Sequence, residues 1–171
     1  MLRNIPVCIS PDLIHALMSM GHGDEIVLAD ADFPAATHSQ RLIRADGVDV
    51  ATLLKAILPF FPLDSFVDHP VVTMDCSPWG DEPESYERFR KIIRSFNPGF
   101  TDFGLMERFQ LYERASRAYA VVVTSETDGN VILKKGPVMS EPQTSINRIA
   151  AVQENLALLK KKRLSGLNSG K

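Results

Sequence analysis

The pattern of its apolar segments constrains this chain more than any other feature. Runs at residues 25–29, 70–74 and 119–124 are mostly apolar and rich in β-branched side chains, which predicts buried strands. A fourth such run, 131–136, follows a short polar turn, so the last two runs are predicted to pair as a hairpin. Segments with apolar residues at helical spacing separate the earlier runs. Alternating helices and buried strands predict an α/β layered domain.

The first predicted helix leads directly to an unusual segment. Ser10 is a suitable N-cap and Pro11 a favoured first helical residue, and Gly21 is placed to end the helix in the left-handed conformation. His22 then follows the negative pole of the helix, which favours the protonated imidazolium and suits a general acid. From these residues alone, a plain C-terminal turn with an exposed histidine is the better-supported explanation of the segment.

Two aspartates follow the predicted strand 25–29, a common position for functional carboxylates in α/β folds. Asp30 or Asp32 could orient an imidazole or accept hydrogen bonds from a polyol, although turn formation alone also explains both. A metal site formed by His22, Asp24 and Asp30 is a further alternative, but the spacing of these ligands is not diagnostic.

Later in the chain, Arg108 and Tyr112 lie four residues apart and would share one face if both were on a helix, although the helix is predicted only over 111–118. The alternative is that these two residues only form surface pairs with Glu113 and Arg114. Residues 128–130 form a natural tight turn. The sequence has no phosphate-binding glycine motif and no serine-hydrolase motif, which argues against those two classes of enzyme.

Composition predicts an ordinary soluble protein. Hydrophobic residues make up 44% of the chain and charged residues 23%, and the net charge of -2 indicates neither a nucleic-acid nor a membrane partner. The two cysteines, Cys8 and Cys76, cannot build a disulfide framework, which favours a reducing compartment. Neither a leader peptide nor a membrane-spanning run is present, so we expect a cytoplasmic protein.

The charge distribution separates a body from an extension. Residues 141–171 hold six basic and two acidic residues, whereas the rest of the chain is acidic. We therefore expect an α/β domain over 1–137 and an extension over 138–171 that is partly helical, basic and disordered at its end.

Six segments, in this order, resemble the family of fucose mutarotases and ribose pyranases. They are 9–13 (ISPDL), 20–26 (MGHGDEI), 30–34 (DADFP), 43–47 (IRADG), 109–115 (FQLYERA) and 129–136 (GNVILKKG). The resemblance covers about residues 1–137 and is closer to the fucose branch.

The resemblance implies a three-layer α/β/α sandwich, a single domain that assembles into a ring-shaped homo-oligomer, commonly a decamer. It implies an isomerase that interconverts the anomers of a free monosaccharide, L-fucose or a related sugar, or the pyranose and furanose forms of ribose. It also implies that neither a cofactor nor a metal is needed, and that the site lies at a subunit contact. His22 matches the catalytic histidine. The residues that match sugar-binding positions are Asp30, Arg108, Asp128, Gly129 and Asn130.

One position departs from the family pattern. Family members usually have a tyrosine before the Gly-Asn pair, in a longer loop, whereas Asp128 stands there in this chain. We expect Asp128 to contact sugar hydroxyls rather than an apolar face of the sugar, and the preference for fucose over galactose to be weaker. Two alternatives stay open: a sugar-binding accessory protein without turnover, and a metal-dependent sugar isomerase.

Overall fold

The computed structural model of the protein describes residues 2–138, so the predicted extension lies outside the described range except for Val138. The helices are α1 (Pro11–Ser19), α2 (Val50–Ile57), α3 (Glu84–Phe96) and α4 (Arg108–Arg117). The strands are β1 (Glu25–Ala29), β2 (Leu42–Arg44), β3 (Val71–Met74), β4 (Gly104–Met106), β5 (Ala120–Val123) and β6 (Val131–Lys134).

Side-chain caps fix where three of the helices begin, namely α1, α2 and α4. Ser10 caps α1 as predicted, accepting a first-turn backbone N–H at 3.1 Å. Helix α4 begins at Arg108, a turn earlier than the sequence predicted. The reason is Glu107, whose carboxylate accepts the backbone N–H of Phe109 at 2.7 Å and that of the next residue at 3.2 Å. The cap therefore places Arg108 at the start of α4.

The strands form one mixed sheet in the order β2-β5-β1-β6-β3-β4. The pairings β2–β5, β5–β1 and β3–β4 are parallel, and β6 is antiparallel to both β1 and β3. Consequently β6 alone runs against the other five strands. We call the edge where those five strands end the carboxyl edge, and the opposite edge the amino edge.

Helices cover both faces of this sheet, as the three-layer expectation requires. Along β1, Ile26 and Leu28 belong to the core that contains the apolar faces of α1, α2 and α3. Val27 and Ala29 alternate with them and belong to the core under α4. Both faces of β1 are therefore buried, which explains why its sequence is a continuous apolar run rather than an alternating one.

The predicted hairpin of β5 and β6 is wrong. Val27 of β1 lies between them, opposite Val121 of β5 on one side and Ile132 of β6 on the other. Both edges of β5 are already paired, with β1 and β2, so β6 pairs on the far edge of β1. The connection over 124–130 therefore crosses the end of β1, next to Asp30.

Candidate functional site

The residues predicted to form one site lie at two edges of the sheet. The carboxyl-edge cluster comprises Asp30, which follows β1, Arg108, which follows β4, and residues 128–130, which precede β6. His22 precedes β1 and lies at the amino edge.

Asp30 is the centre of the carboxyl-edge cluster. Its Oδ2 accepts hydrogen bonds from the Asn130 side-chain amide at 2.6 Å and from the Gly129 backbone N–H at 3.3 Å. The Asn130 Oδ1 in turn accepts the backbone N–H of Asp30 at 3.1 Å. Asp30 and Asn130 are both buried. The structure thus brings together three of the predicted sugar-binding residues through reciprocal hydrogen bonds.

Burial and charge both act on the Asp30 carboxyl. Removal from water raises its pKa above the ordinary value despite the hydrogen bonds from Gly129 and Asn130, and the nearby charge of Asp128 raises it further. The Asp30 carboxyl accepts hydrogen bonds, and the Asn130 amide beside it both accepts and donates them. That combination suits the hydroxyl groups of a polyol.

The turn that carries Gly129 is held against α3. Gly129 has φ +138°, and a Cβ placed there would lie 2.9 Å from the Phe89 ring and 3.0 Å from the Ser85 hydroxyl. The Ser85 hydroxyl donates to the backbone carbonyl of Asp128 at 2.7 Å. Glycine is therefore required at this position both by backbone conformation and by space.

Arg108 lies between aromatic rings at the start of α4. Its guanidinium carbon is 4.7 Å from the ring centroid of Phe109 and 5.3 Å from that of Trp79. Its Nε is buried and has no hydrogen-bond partner among the described residues. One helical turn later, Tyr112 packs edge-on against Phe33, with ring centroids 5.1 Å apart. Because Phe33 lies in the loop that begins at Asp30, this contact ties the Arg108 face of α4 to the Asp30 loop.

The sequence interpretation of Arg114 as a partner in a surface pair is wrong. Arg114 donates two hydrogen bonds to the Glu25 carboxylate, at 2.7 and 2.9 Å, and Lys134 adds a third at 3.3 Å. Burial opposes ionisation of Glu25, but Arg114 and Lys134 hold its pKa below the ordinary value. The network anchors the C-terminal end of α4 to the sheet, whereas Arg108 lies at the N-terminal end of this helix.

The turn around His22 differs in detail from the prediction. Helix α1 is capped by an extended Met20, and the left-handed glycine is Gly23, with φ +91°, rather than Gly21. The Gly21 backbone N–H donates to the Asp24 carboxylate at 2.7 Å. The turn is therefore closed by this side-chain hydrogen bond and not by a left-handed Gly21. The carbonyl end of α1 is bound by Lys135, whose ammonium donates to Met20. The negative pole that was expected to act on His22 is therefore occupied by a lysine.

The partner of His22 is a buried aspartate that sequence reasoning missed. His22 Nε2 lies 3.3 Å from Oδ2 of Asp64, and the side chains are 50% and 3% exposed, respectively. The other carboxylate oxygen of Asp64 accepts the backbone N–H of Phe66 at 3.0 Å, and the Phe66 ring lies 5.7 Å from the imidazole. A lone carboxylate in the stretch 60–67, which is apolar apart from Asp64 and Ser65, was the available signal. We call His22 and Asp64 the amino-edge pair.

The amino-edge pair and the carboxyl-edge cluster are separated by the length of a strand. His22 precedes β1 and Asp30 follows it, and β1 alone spans about 13 Å at about 3.3 Å for each of four residue steps. Within one chain, then, His22 does not converge with Asp30. The three candidate metal ligands named from the sequence, His22, Asp24 and Asp30, do not converge either.

Two absences concern the part of the chain that the structure describes. Over residues 2–138, no cluster of three or more His, Cys, Asp or Glu side chains is arranged to hold a metal ion. In the same range, every helix is too short or too polar to cross a bilayer.

Comparison with known sequences gives one family. The sequence model of the RbsD / FucU transport protein family matches residues 3–138. A protein of Actinobacillus pleuropneumoniae serotype 5b named L-fucose mutarotase is 46% identical over 140 residues, which cover 80% of this chain and 96% of that protein. The L-fucose mutarotase of Haemophilus influenzae strain 86-028NP is 46% identical over 143 residues, with the same coverage.

Solved structures agree with the sequence comparison. The fucose mutarotase of Streptococcus pneumoniae, in complex with L-fucose, is 45% identical with a TM-score of 0.75, covering 81% of this chain and 100% of that one. FucU from Bifidobacterium longum is 37% identical with a TM-score of 0.76, covering 80% and 100%. RbsD of Bacillus subtilis, complexed with D-ribose, is 18% identical with a TM-score of 0.59 over 77% of this chain and 95% of that one, and shares the fold.

Proposed function

The chain belongs to the RbsD / FucU family, and from that premise we propose that it is a sugar mutarotase, an isomerase that interconverts the α and β anomers of free L-fucose. The relatives named L-fucose mutarotase favour this enzyme over a sugar-binding protein without turnover. The L-fucose complex of a 45% identical structure supports the same sugar.

The reaction needs only proton transfer. One proton leaves the anomeric hydroxyl and one reaches the ring oxygen, so that the bond from the anomeric carbon to the ring oxygen breaks. The open-chain aldehyde rotates about its first carbon–carbon bond and closes from the other face, with the two protons moving back. General acid–base catalysis contributes about 10²–10⁴-fold to such a step.

His22 is the residue we assign to proton transfer. Its imidazole is half exposed and therefore accessible to a sugar, while its Nε2 faces the Asp64 carboxylate at 3.3 Å. An ionised carboxylate at that distance stabilises the imidazolium that forms when His22 takes up a proton, and it orients the ring. This pairing of an accessible imidazole with a buried carboxylate is the observation that carries the proposal.

The carboxyl-edge cluster supplies the sugar-binding groups in this proposal. Asp30 and Asn130 offer acceptors and donors to hydroxyls, and Arg108 has an Nε–H with no partner among the described residues. Because these groups lie a strand length away from His22 in one chain, we propose that a complete site joins the carboxyl-edge cluster of one subunit to the amino-edge pair of the next.

Sharing of the site requires a homo-oligomer. A contact between two different edges of the same domain is head-to-tail, and such contacts close into a ring when the rotation permits. We propose a ring-shaped homo-oligomer, with a decamer as its expected size and the domain 1–137 sufficient to form it. A cytoplasmic location fits a free-sugar substrate and two unpaired cysteines.

Saturation-transfer NMR on L-fucose at anomeric equilibrium tests the proposed activity directly. The protein should accelerate exchange between the two anomeric proton signals, and acceleration should persist after exhaustive chelation. His22→Ala should abolish it, whereas His15→Ala, which removes an exposed histidine of α1, should not. Loss of exchange on chelation with recovery on adding a divalent ion would favour a metal-dependent isomerase. Sugar binding without any exchange would favour the accessory protein.

A further inference from the structure

Trp79, the single tryptophan of the chain, lies exposed beside the carboxyl-edge cluster. Trp79 lies in the loop between β3 and α3 and is 57% exposed. A large apolar ring in contact with water has a cost that a folded domain normally avoids by burial. The exposed part of the ring is therefore apolar surface available to a ligand.

The loop that carries Trp79 is fixed to the same edge as Arg108. The backbone N–H of Asp75 donates to the carbonyl of Met106, the last residue of β4, at 2.8 Å. The Trp79 backbone N–H donates to the Cys76 carbonyl at 2.9 Å, which closes a tight turn. Since Arg108 follows Met106 by two residues, the turn holds the indole next to the guanidinium.

The indole and the guanidinium form a composite surface. The guanidinium carbon of Arg108 lies 5.3 Å from the indole centroid and 4.7 Å from that of Phe109, which is itself 65% exposed. Cation–π contacts of this kind hold both partners in position. The surface therefore combines apolar rings with a charged hydrogen-bond donor. A ligand with one apolar side and several hydroxyl groups would contact the rings with the first and the guanidinium with the second.

We propose that Trp79 forms the apolar wall of the sugar site and selects 6-deoxy sugars through contact with their methyl group and C–H face. This rests on the proposed mutarotase function and names the group that sets its substrate class. Sugar sites generally combine apolar and aromatic walls with a few placed polar groups. Asp128 offers no ring in the last turn, whereas Trp79 offers one on the adjoining loop.

Trp79 also provides a binding signal that does not depend on catalysis. Because the chain contains no other tryptophan, its indole fluorescence reports this position alone. Titration with L-fucose should give a saturable change in emission, both in the wild-type protein and in His22→Ala, which lacks the proton carrier. A catalytically active wild-type protein whose emission does not respond to L-fucose would overturn the assignment of Trp79 and leave the proposed activity standing.

Substrate preference gives the second test. Trp79→Ala should lower the ratio of exchange rates for L-fucose over L-galactose, its hydroxymethyl analogue, by about three- to fivefold, the effect of apolar contact with one methyl group. Trp79→Phe should recover most of the ratio, and Phe60→Ala, which truncates an exposed aromatic ring outside both clusters, should not change it.

Two other outcomes are distinguishable. If Trp79→Ala slows both sugars equally and dissociates the oligomer, Trp79 is a subunit contact and the assignment is wrong. If the wild-type protein accelerates exchange of no sugar, the proposed function itself fails, whatever the fluorescence shows.

Discussion

Replacement of Asp64 by asparagine removes one charge from the amino-edge pair and little else. The side chain keeps its volume, and an amide oxygen can still accept the Phe66 backbone N–H that now binds the carboxylate. What is lost is the attraction between the carboxylate and an imidazolium 3.3 Å away.

The magnitude follows from Coulomb's law. At 3.3 Å a unit-charge pair is worth about 1.3 kcal/mol in water and about 5 kcal/mol at an effective dielectric constant of about 20. Asp64 is buried but His22 is half exposed, so solvent screens the pair and its worth lies near the aqueous figure, about 1–2 kcal/mol. If His22 is charged in the transition state, exchange should slow by about 5–30-fold.

The predicted slowing is tested by measuring saturation-transfer exchange rates for L-fucose with the wild-type protein, Asp64→Asn and His22→Ala. Asp68→Asn, an exposed carboxylate in the same loop, serves as the matched control and should exchange at the wild-type rate. The double variant Asp64→Asn/His22→Ala should be no slower than His22→Ala alone, because Asp64 acts through the imidazole. A folded Asp64→Asn protein with wild-type exchange would refute the reasoning.

Three further predictions concern the carboxyl-edge cluster. Asp30→Asn should weaken exchange. The difference in melting temperature between this variant and the wild-type protein should shrink as pH falls through the raised pKa of Asp30, because a protonated carboxyl resembles an amide. A difference in melting temperature that does not depend on pH would contradict the burial of the Asp30 charge. Gly129→Ala should destabilise the protein by about 1–3 kcal/mol through backbone strain alone, measured by urea unfolding, and more if Phe89 cannot yield. Asp128→Tyr should shift the preference toward fucose over galactose, and unchanged rate ratios would show that residue 128 does not set specificity.

Most of the secondary structure could be predicted because local patterns determine it. Caps such as Ser10 and the apolar run at β1 are local features, and both were predicted correctly. The partner of β6 could not be predicted this way, since a turn of suitable length does not reveal that both edges of β5 are already paired. The connection 124–130, which was predicted to be a hairpin turn, instead crosses the end of β1 and places Asn130 against Asp30.

The candidate site was predictable only in part. Motif resemblance singled out His22 and Asp30, and the strand predicted between them already indicated that they lie at its opposite ends. The partner of His22 was not indicated. Asp64 lies 42 positions from its partner, as the two residue numbers show, and no sequence period links the two. Contacts of that kind arise from packing of distant segments and are visible only in the folded chain.

We propose one site that combines the two edges of neighbouring subunits, and complementation between two impaired variants tests this proposal most directly. His22→Ala and Asp30→Asn would be coexpressed with different tags, and oligomers carrying both tags would be isolated and assayed for L-fucose exchange. In a head-to-tail ring with random mixing, about a quarter of the sites combine an intact His22 with an intact neighbouring Asp30, so about a quarter of the wild-type activity should return. Mixed oligomers that are no more active than the two parent proteins would contradict the shared site.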